Sequence, residues 1–382
     1  MLTSRDQVTT APGSDLGVEG GGIRIATVCK PLPLRDGDIQ AMDTVRWMRV
    51  SEALARAGFR VDMMVGVGAQ LARRHPNLGY VPITDADWSA YDVVKTLYQR
   101  GFQELSQAGG ASHPFIISRL ASVVGGRDGA PGVHFFGAER EALYETQRRI
   151  DRASRYVSFS SDPNRTLWHR EFRTDPSRLL LVPTGVERVI PGPRRNPYRA
   201  LGITGPIAVY IGHLYLTMQR HINLLWQERL NSLGRLLRRR GITLAFIGPG
   251  ATDRLDPAAV VNIGPIAHDD IWDYQYFADV GLVLAQGPIQ QNESSKIFYY
   301  LRSGLPVVSE EPVPNNDVLV ASGCGLVAPF DDDPTFADMV ETAARRPWDR
   351  EAAIAYVLAH HTWDHRIATY ARAIAGAFRG IV

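Results

Sequence analysis

Three consecutive residues in the second half of the chain, Ser294-Ser295-Lys296, have the types and spacing to hold a phosphate. They stand where a loop opens onto the short helical run Ile297-Phe298-Tyr299-Tyr300-Leu301-Arg302. Gly304 can close that helix and Pro306 cannot continue it. The first N–H groups of a helix have no intrahelical partner and lie at the positive end of its dipole, so they attract anions. Two hydroxyls and an ammonium at that point add donors and a full charge. The segment therefore predicts a diphosphate-bearing ligand. Lysine is scarce: of 42 basic residues only Lys30, Lys95 and Lys296 are lysines. A compact ammonium serves phosphate where a planar guanidinium fork does not fit. Lys296 is the lysine that heads a helix, whereas Lys30 follows an apolar run and Lys95 lies inside one.

The elements that must position this segment follow from periodicity. Short apolar runs alternate with longer helical patterns, which predicts βαβ units and parallel sheets. In the first half, strands are expected over 23–29, 60–65, 91–97, 115–118, 156–160 and 179–182, with helices over 43–57, 138–153 and 163–172. In the second half, strands are expected over 207–211, 243–247, 260–263, 280–285, 307–309 and 325–327. Helices there are expected over 222–240, 271–278, 334–344 and 350–360, Asp269 and Asp270 capping the second of these. Pro191, Pro193 and Pro197 beside Gly192 and Gly202 give residues 186–205 a linker composition. The expectation is an α/β fold of two Rossmann-like doubly wound domains, residues 23–190 and 200–360, facing across a cleft. Ligands bind such folds at the carboxyl ends of the strands.

The totals narrow the class. A length of 382 residues fits two domains, each with its own core. A net charge of +2 gives no nucleic-acid footprint. Two cysteines, Cys29 and Cys324, in apolar contexts point to a reducing compartment rather than a disulfide framework. No apolar run reaches the roughly 18 residues that span a bilayer. Residues 1–22, rich in Gly, Ser, Thr and Asp, read as a disordered leader without a signal peptide's apolar stretch.

Several short pieces, taken in order, carry a resemblance. They are Leu54-Ala55-Arg56-Ala57-Gly58-Phe59-Arg60-Val61, Tyr91-Asp92-Val93-Val94, Val182-Pro183-Thr184-Gly185-Val186, Tyr210-Ile211-Gly212-His213-Leu214, Ile263-Gly264-Pro265-Ile266 and Ala278-Asp279-Val280. The Ser294–Val308 segment, Gly323-Cys324-Gly325-Leu326-Val327 and Trp363-Asp364 complete the set. Together they resemble the GT-B nucleotide-sugar glycosyltransferases, family 4 and related bacterial exopolysaccharide enzymes such as the xanthan-type glucuronosyltransferase. The resemblance implies a hexosyltransferase moving a sugar from a nucleotide sugar, with UDP as the nucleotide. The acceptor would be a hydroxyl on a saccharide, a lipid-linked saccharide or a small molecule. It implies no cofactor, no metal and no nucleic-acid partner. It also implies a final helix, within 361–382, that crosses back to the first domain. A cytoplasmic location follows, with peripheral contact at the inner membrane face if the acceptor is lipid-linked.

Residue by residue, Lys296 falls where that group's lysine meets the donor diphosphate, with Ser294 and Ser295 beside it. Gly212 and His213 fall in the loop that approaches the phosphates, and Arg220 near the basic position after it. Tyr299 replaces a glutamate that binds the donor ribose, and Gln291 the other glutamate of that pair. Glu293 is the nearby carboxylate able to substitute. An inverting mechanism needs a base near the acceptor; Asp38, Asp128, His134 and Glu139 lie in first-domain loops or at a helix start, of which Asp38 and Asp128 are the chosen candidates, and Ser122 stands nearest the spot of the relative's aspartate. In a retaining mechanism the donor phosphate can serve. Loops around 30–40, 98–112 and 119–137 would present the acceptor. Asp331-Asp332-Asp333 reads as a turn and helix cap rather than a metal site. Trp226, Trp272 and Trp348 read as packing groups, and His360, His361 and His365 as terminal-helix surface. Two rival classes share the architecture: a nucleotide-sugar epimerase and a non-catalytic sugar-nucleotide binder.

Overall fold

The computed structural model describes residues 22–35, 42–125, 137–192, 194–214, 220–287 and 290–378. Strands β1 (Arg24–Val28), β2 (Arg60–Val65), β3 (Leu78–Pro82), β4 (Val93–Leu97), β5 (Ile116–Leu120), β6 (Tyr156–Phe159) and β7 (Leu179–Leu181) form one sheet. Strands β8 (Ile207–Ile211), β9 (Thr243–Ile247), β10 (Val260–Gly264), β11 (Val280–Val283), β12 (Val307–Glu310) and β13 (Gly325–Ala328) form the other. Their orders are 3-2-1-4-5-6-7 and 10-9-8-11-12-13. All of these pairings are parallel. Chain order reverses between β1 and β4 in the first sheet and between β8 and β11 in the second, so each domain has a switch point where ligands bind.

The helices are α1 (Met42–Arg56), α2 (Tyr98–Gln107), α3 (Gly137–Ala153), α4 (Asp162–Phe172), α5 (Pro197–Ala200) and α6 (Arg220–Arg239). After them come α7 (Ile271–Tyr276), α8 (Ser295–Arg302), α9 (Asn316–Ser322), α10 (Asp333–Arg345), α11 (Arg350–His360) and α12 (Trp363–Phe378). Most strand expectations hold to within two residues because continuous apolar runs flanked by Gly and polar residues leave few alternatives. Four elements differ from the sequence reading, the first being α5, a short helix inside the expected linker 186–205. Strand β3 carries Gly79 and Pro82, which an edge strand tolerates. Helix α2 follows β4 with no connecting loop, so the expected acceptor loop at 98–112 is helix and a short 3₁₀ turn. Helix α9 was not expected at all.

Helix α1 is fastened to β1 by hydrogen bonds as well as packing. The indole N–H of buried Trp47 donates to Thr27 Oγ1 at 3.0 Å, which pairs with Ser51 Oγ at 2.8 Å. Helix α12 joins the same core: Trp363, Ile367, Tyr370, Ala371 and Ile374 pack with Trp47 and Leu54. The chain therefore passes between the two domains twice. The crossings are zipped together, Val186 N–H donating to His361 carbonyl at 2.9 Å and Trp363 N–H to Val186 carbonyl at 3.0 Å. His361 and His365 are half-buried at this junction, not on a free surface. Burial and Arg366 push the His361 imidazole down to about 4, so it is neutral at pH 7.

Helix α8 is set by Tyr300. Its ring lies on Gly281 of β11, where an added Cβ would stand 2.4 Å from Tyr300 Cδ2. Its hydroxyl accepts from Ile211 N–H at 2.9 Å, so the ring cannot swing away. Gly281→Ala is expected to cost about 1–3 kcal/mol by overpacking, read in urea as a lower midpoint at unchanged slope. An unchanged midpoint would mean that α8 is not seated in this way.

Candidate functional site

A cleft of about 210 Å³ lies between the two domains. The first domain contributes Arg46 from α1, Tyr98 at the β4–α2 junction, Arg119, Leu120 and Ala121 at the end of β5, and Ser160 after β6. The second contributes Tyr210 of β8, Trp226 of α6, Leu284 and Gln286 after β11, and Gln290 with the run Asn292–Lys296 leading into α8. The strand-end residues come from the carboxyl ends of β4, β5 and β6 in one sheet and of β8 and β11, which flank the switch point, in the other.

Each second-domain group is held from behind. Asn315 accepts from Ser294 N–H at 2.8 Å and donates to Ser294 carbonyl at 3.0 Å, fixing the N-cap of α8. Buried Glu310 accepts from Ala285 N–H at 2.5 Å, Asp331 N–H at 3.0 Å and Arg229 Nη2 at 2.6 Å, which steadies the turn after β11. Asp332 caps α10 by accepting from Thr335 N–H at 3.1 Å, so this acidic run does act as turn and cap. Asp270 does not cap α7 as expected; its carboxylate pairs with Arg194 at 3.0 Å. Gly248, at φ 152°, lets its backbone meet that of Gly212, since a Cβ there would come within 1.6 Å of the Gly212 carbonyl oxygen.

The electrostatics are cationic. Half-buried Lys296 and Arg46 converge on the cleft from opposite domains, with Arg119 at its floor. Burial and the charge of Arg46 push the Lys296 ammonium down to about 8. Its Nζ lies 5.1 Å from the Tyr210 ring centroid. Arg46 Nη1 donates to Tyr98 Oη at 3.2 Å. Tyr98 has φ 61°, a left-handed conformation that costs a non-glycine residue on the order of 1 kcal/mol or more. That conformation turns the chain from β4 straight into α2.

A strip of polar contacts joins the two domains beside the cleft. Asn292 Nδ2 donates to Ser122 Oγ at 2.8 Å, and Asn164 Nδ2 to Asn292 Oδ1 at 2.8 Å. The Gln291 carbonyl accepts from Ser161 Oγ and from Asn164 Nδ2. Glu293 Oε1 accepts from Thr184 N–H at 2.6 Å and from the Thr184 hydroxyl. Burial pushes the Glu293 carboxyl up, against the pull of Thr184, Arg119 and Arg46.

Of the residues expected at the site, Glu293, Ser294, Ser295 and Lys296 come together in the cleft lining. Gly212 and exposed His213 follow β8 and are not part of that lining. Tyr299 turns away: its ring meets His268 edge-on at 5.6 Å between centroids, beside the Glu187 charge cluster. Arg220 begins α6, and its side chain lies outside the described residues, as do Asp38 and Asp128 entirely. Ser122 is engaged by Asn292. Lys95 is a core residue, 1% exposed, its Nζ 3.9 Å from the Tyr370 ring centroid. Trp226 packs on Tyr210 and also lines the cleft. Sequence reading missed Arg46, Tyr98 and Arg119. A helix arginine and two strand-end residues carry no local signal of where they point. Among the described residues no cluster of His, Cys, Asp or Glu is arranged to hold a metal ion, and no helix is long and apolar enough to cross a membrane.

No family model and no curated protein matches the chain. Among solved structures it is similar to a sucrose-phosphate synthase from Thermosynechococcus elongatus at 14% identity and TM-score 0.65, over 94% of this chain and 99% of that one. It is similar to a glycosyltransferase from Rickettsia africae at 9% identity and TM-score 0.65, again over 94% and 99%. It is similar to HepE from Anabaena, solved in complex with UDP-glucose, at 12% identity and TM-score 0.60, over 94% and 99%. The two facing Rossmann-like domains are the GT-B fold.

Proposed function

We propose that this chain is a nucleotide-sugar glycosyltransferase that moves a hexose from a UDP-sugar to an acceptor hydroxyl on a saccharide, a lipid-linked saccharide or a small molecule. The observation that carries the reading is the convergence of Lys296, at the start of α8, with Arg46 from the facing domain in one cleft. A diphosphate leaving group gains negative charge as the glycosidic bond breaks. Fixed cations and orphan helix N–H groups lower that barrier most when they are already in place. Lys296, Ser295 and the first turn of α8 would meet the diphosphate, with Arg46 reaching it from the acceptor side. Gly212, His213 and Arg220 would complete the phosphate side from the end of β8 and the start of α6. Tyr98, held by Arg46, would face the acceptor. The UDP choice is supported by HepE, which is described with UDP-glucose. Glu293, the carboxylate among the described lining residues, is engaged by Thr184. That favours the donor phosphate, Asp38 or Asp128 as the proton acceptor over Glu293.

A thermal-shift panel of UDP-, GDP- and TDP-sugars tests the reading. Stabilisation follows RT ln(1 + [L]/Kd), so a true donor at about 100 Kd adds roughly 2.7 kcal/mol. The expected result is stabilisation by UDP-sugars, followed by UDP release that depends on added acceptor. Donor turnover without acceptor would identify an epimerase, and no stabilisation by any donor would remove the proposal.

A further inference from the structure

Tyr98 joins a strained backbone to a side chain that lines the cleft. Its φ of 61° is imposed by its neighbours. Helix α2 begins directly after β4, and its first turn lies against the end of β1. An added Cβ on Gly101 would stand 2.5 Å from the Val28 carbonyl oxygen, so the helix has no room to slide there. Gln99 Nε2 donates to the Ser122 carbonyl at 2.6 Å, and Phe102 and Leu105 are buried in hydrophobic clusters. The chain must therefore turn from strand to helix within one residue. Glycine takes a left-handed φ at no steric cost, and asparagine at little. A tyrosine at this position is accounted for by its side chain, not by its backbone.

That side chain holds Arg46. The phenol oxygen accepts from Arg46 Nη1 at 3.2 Å, while Arg46 Nε is buried without a partner. Buried Val45 and Trp47 fix the helix on either side of Arg46, so the long side chain is what needs aiming. A hydrogen bond made before the ligand arrives removes rotamer freedom that binding would otherwise have to remove. The same guanidinium faces a like charge, helping to push the Lys296 ammonium down to about 8. Glu293 attracts Arg46 through space, yet its carboxylate is engaged by Thr184. Two unfavourable features thus meet at one point: a strained tyrosine and a pair of facing cations. An anion between Arg46 and Lys296 offsets the second and gives the first its use.

We propose that Tyr98 is a positioning residue: its phenol aims Arg46 at the donor diphosphate, so that Arg46 and Lys296 grip it from opposite domains. Tyr98 acts through Arg46 and does not itself touch the phosphates. This rests on the reading of the cleft as a nucleotide-sugar site, and the two probes below separate one from the other.

The test is a double-mutant cycle on the full chain, read by calorimetry with UDP and with inorganic pyrophosphate. Tyr98→Phe removes the phenol oxygen and keeps the ring and the backbone. It should raise both Kd values roughly threefold to tenfold, the loss of one hydrogen bond. Arg46→Met should raise them roughly tenfold or more, the loss of a charge-assisted contact. Adding Tyr98→Phe to Arg46→Met should then change neither Kd by more than about twofold, because residues acting as a unit are not additive. A second pair of variants checks the strain. Alanine ordinarily gives a more stable chain than glycine, and the order reverses where φ is positive. Tyr98→Gly should therefore melt above Tyr98→Ala. An unchanged Kd in Tyr98→Phe, or an equal loss with and without Arg46, would overturn the proposal, the latter by showing that Tyr98 meets the ligand itself. A higher melting point for the alanine variant, or failure of both probes to bind, would overturn it too. If pyrophosphate gives the expected pattern and UDP binds no more tightly than pyrophosphate, the positioning role stands and the nucleotide-sugar reading fails.

Discussion

Lys296→Ala is expected to raise the Kd for UDP roughly 10- to 100-fold, the loss of one charge-assisted contact of about 1.5–3 kcal/mol. The unliganded protein should melt no lower than wild type. The sign follows from the lowered ammonium pKa, about 8 in the folded chain against 10.5 for an unperturbed lysine. A cation that the fold makes easier to deprotonate is one the fold disfavours. Its penalty is fully present below pH 8 and fades as pH rises toward 10.5, and alanine removes it. The same shift predicts a pH profile. UDP affinity of the wild type should fall as pH rises through about 8, with proton uptake on binding near that pH. In the alanine variant this window should be flat. Calorimetry in buffers of different ionisation enthalpy measures both effects. A variant that unfolds, or one that binds UDP as well as wild type, would make Lys296 a structural residue.

Glu293→Ala is expected to destabilise the chain by about 3–5 kcal/mol. It strands the buried N–H and hydroxyl of Thr184 and leaves Arg119 and Arg366 without their nearby carboxylate. Glu293→Gln should cost much less. Its side-chain oxygen still accepts from Thr184, and the raised carboxyl pKa means that the fold tolerates a neutral group there. Urea denaturation of the two variants reads the difference. This pair also separates two roles. The sequence suggested Glu293 as a substitute grip on the donor ribose. A glutamine variant of normal stability with a UDP affinity lowered tenfold would restore that role and displace the interdomain one.

Tyr299 stands three residues after Lys296, in the register that would put both on one side of a helix. Yet Tyr300 is the residue seated on Gly281, and Tyr299 ends against His268 and the Glu187 cluster. In the sequence Gln291 stands only for a replaced glutamate, and Asn292 carries no signal of its own. Only the facing domain turns them into a latch, through Ser161, Asn164 and Ser122.

The sequence by itself determined the alternation of strands and helices, the two parallel sheets and the phosphate-suited start of α8. Each of these depends on local pattern: apolar runs that must be buried, glycines that end helices, and orphan N–H groups beside a lysine. Tertiary structure alone decided that Arg46, Tyr98 and Arg119 share a cleft with Lys296. Those groups are brought together by the packing of α1 and α12 on one sheet and the closure of the other domain against it. Their meeting is a property of distances across the fold, which no spacing along the chain encodes.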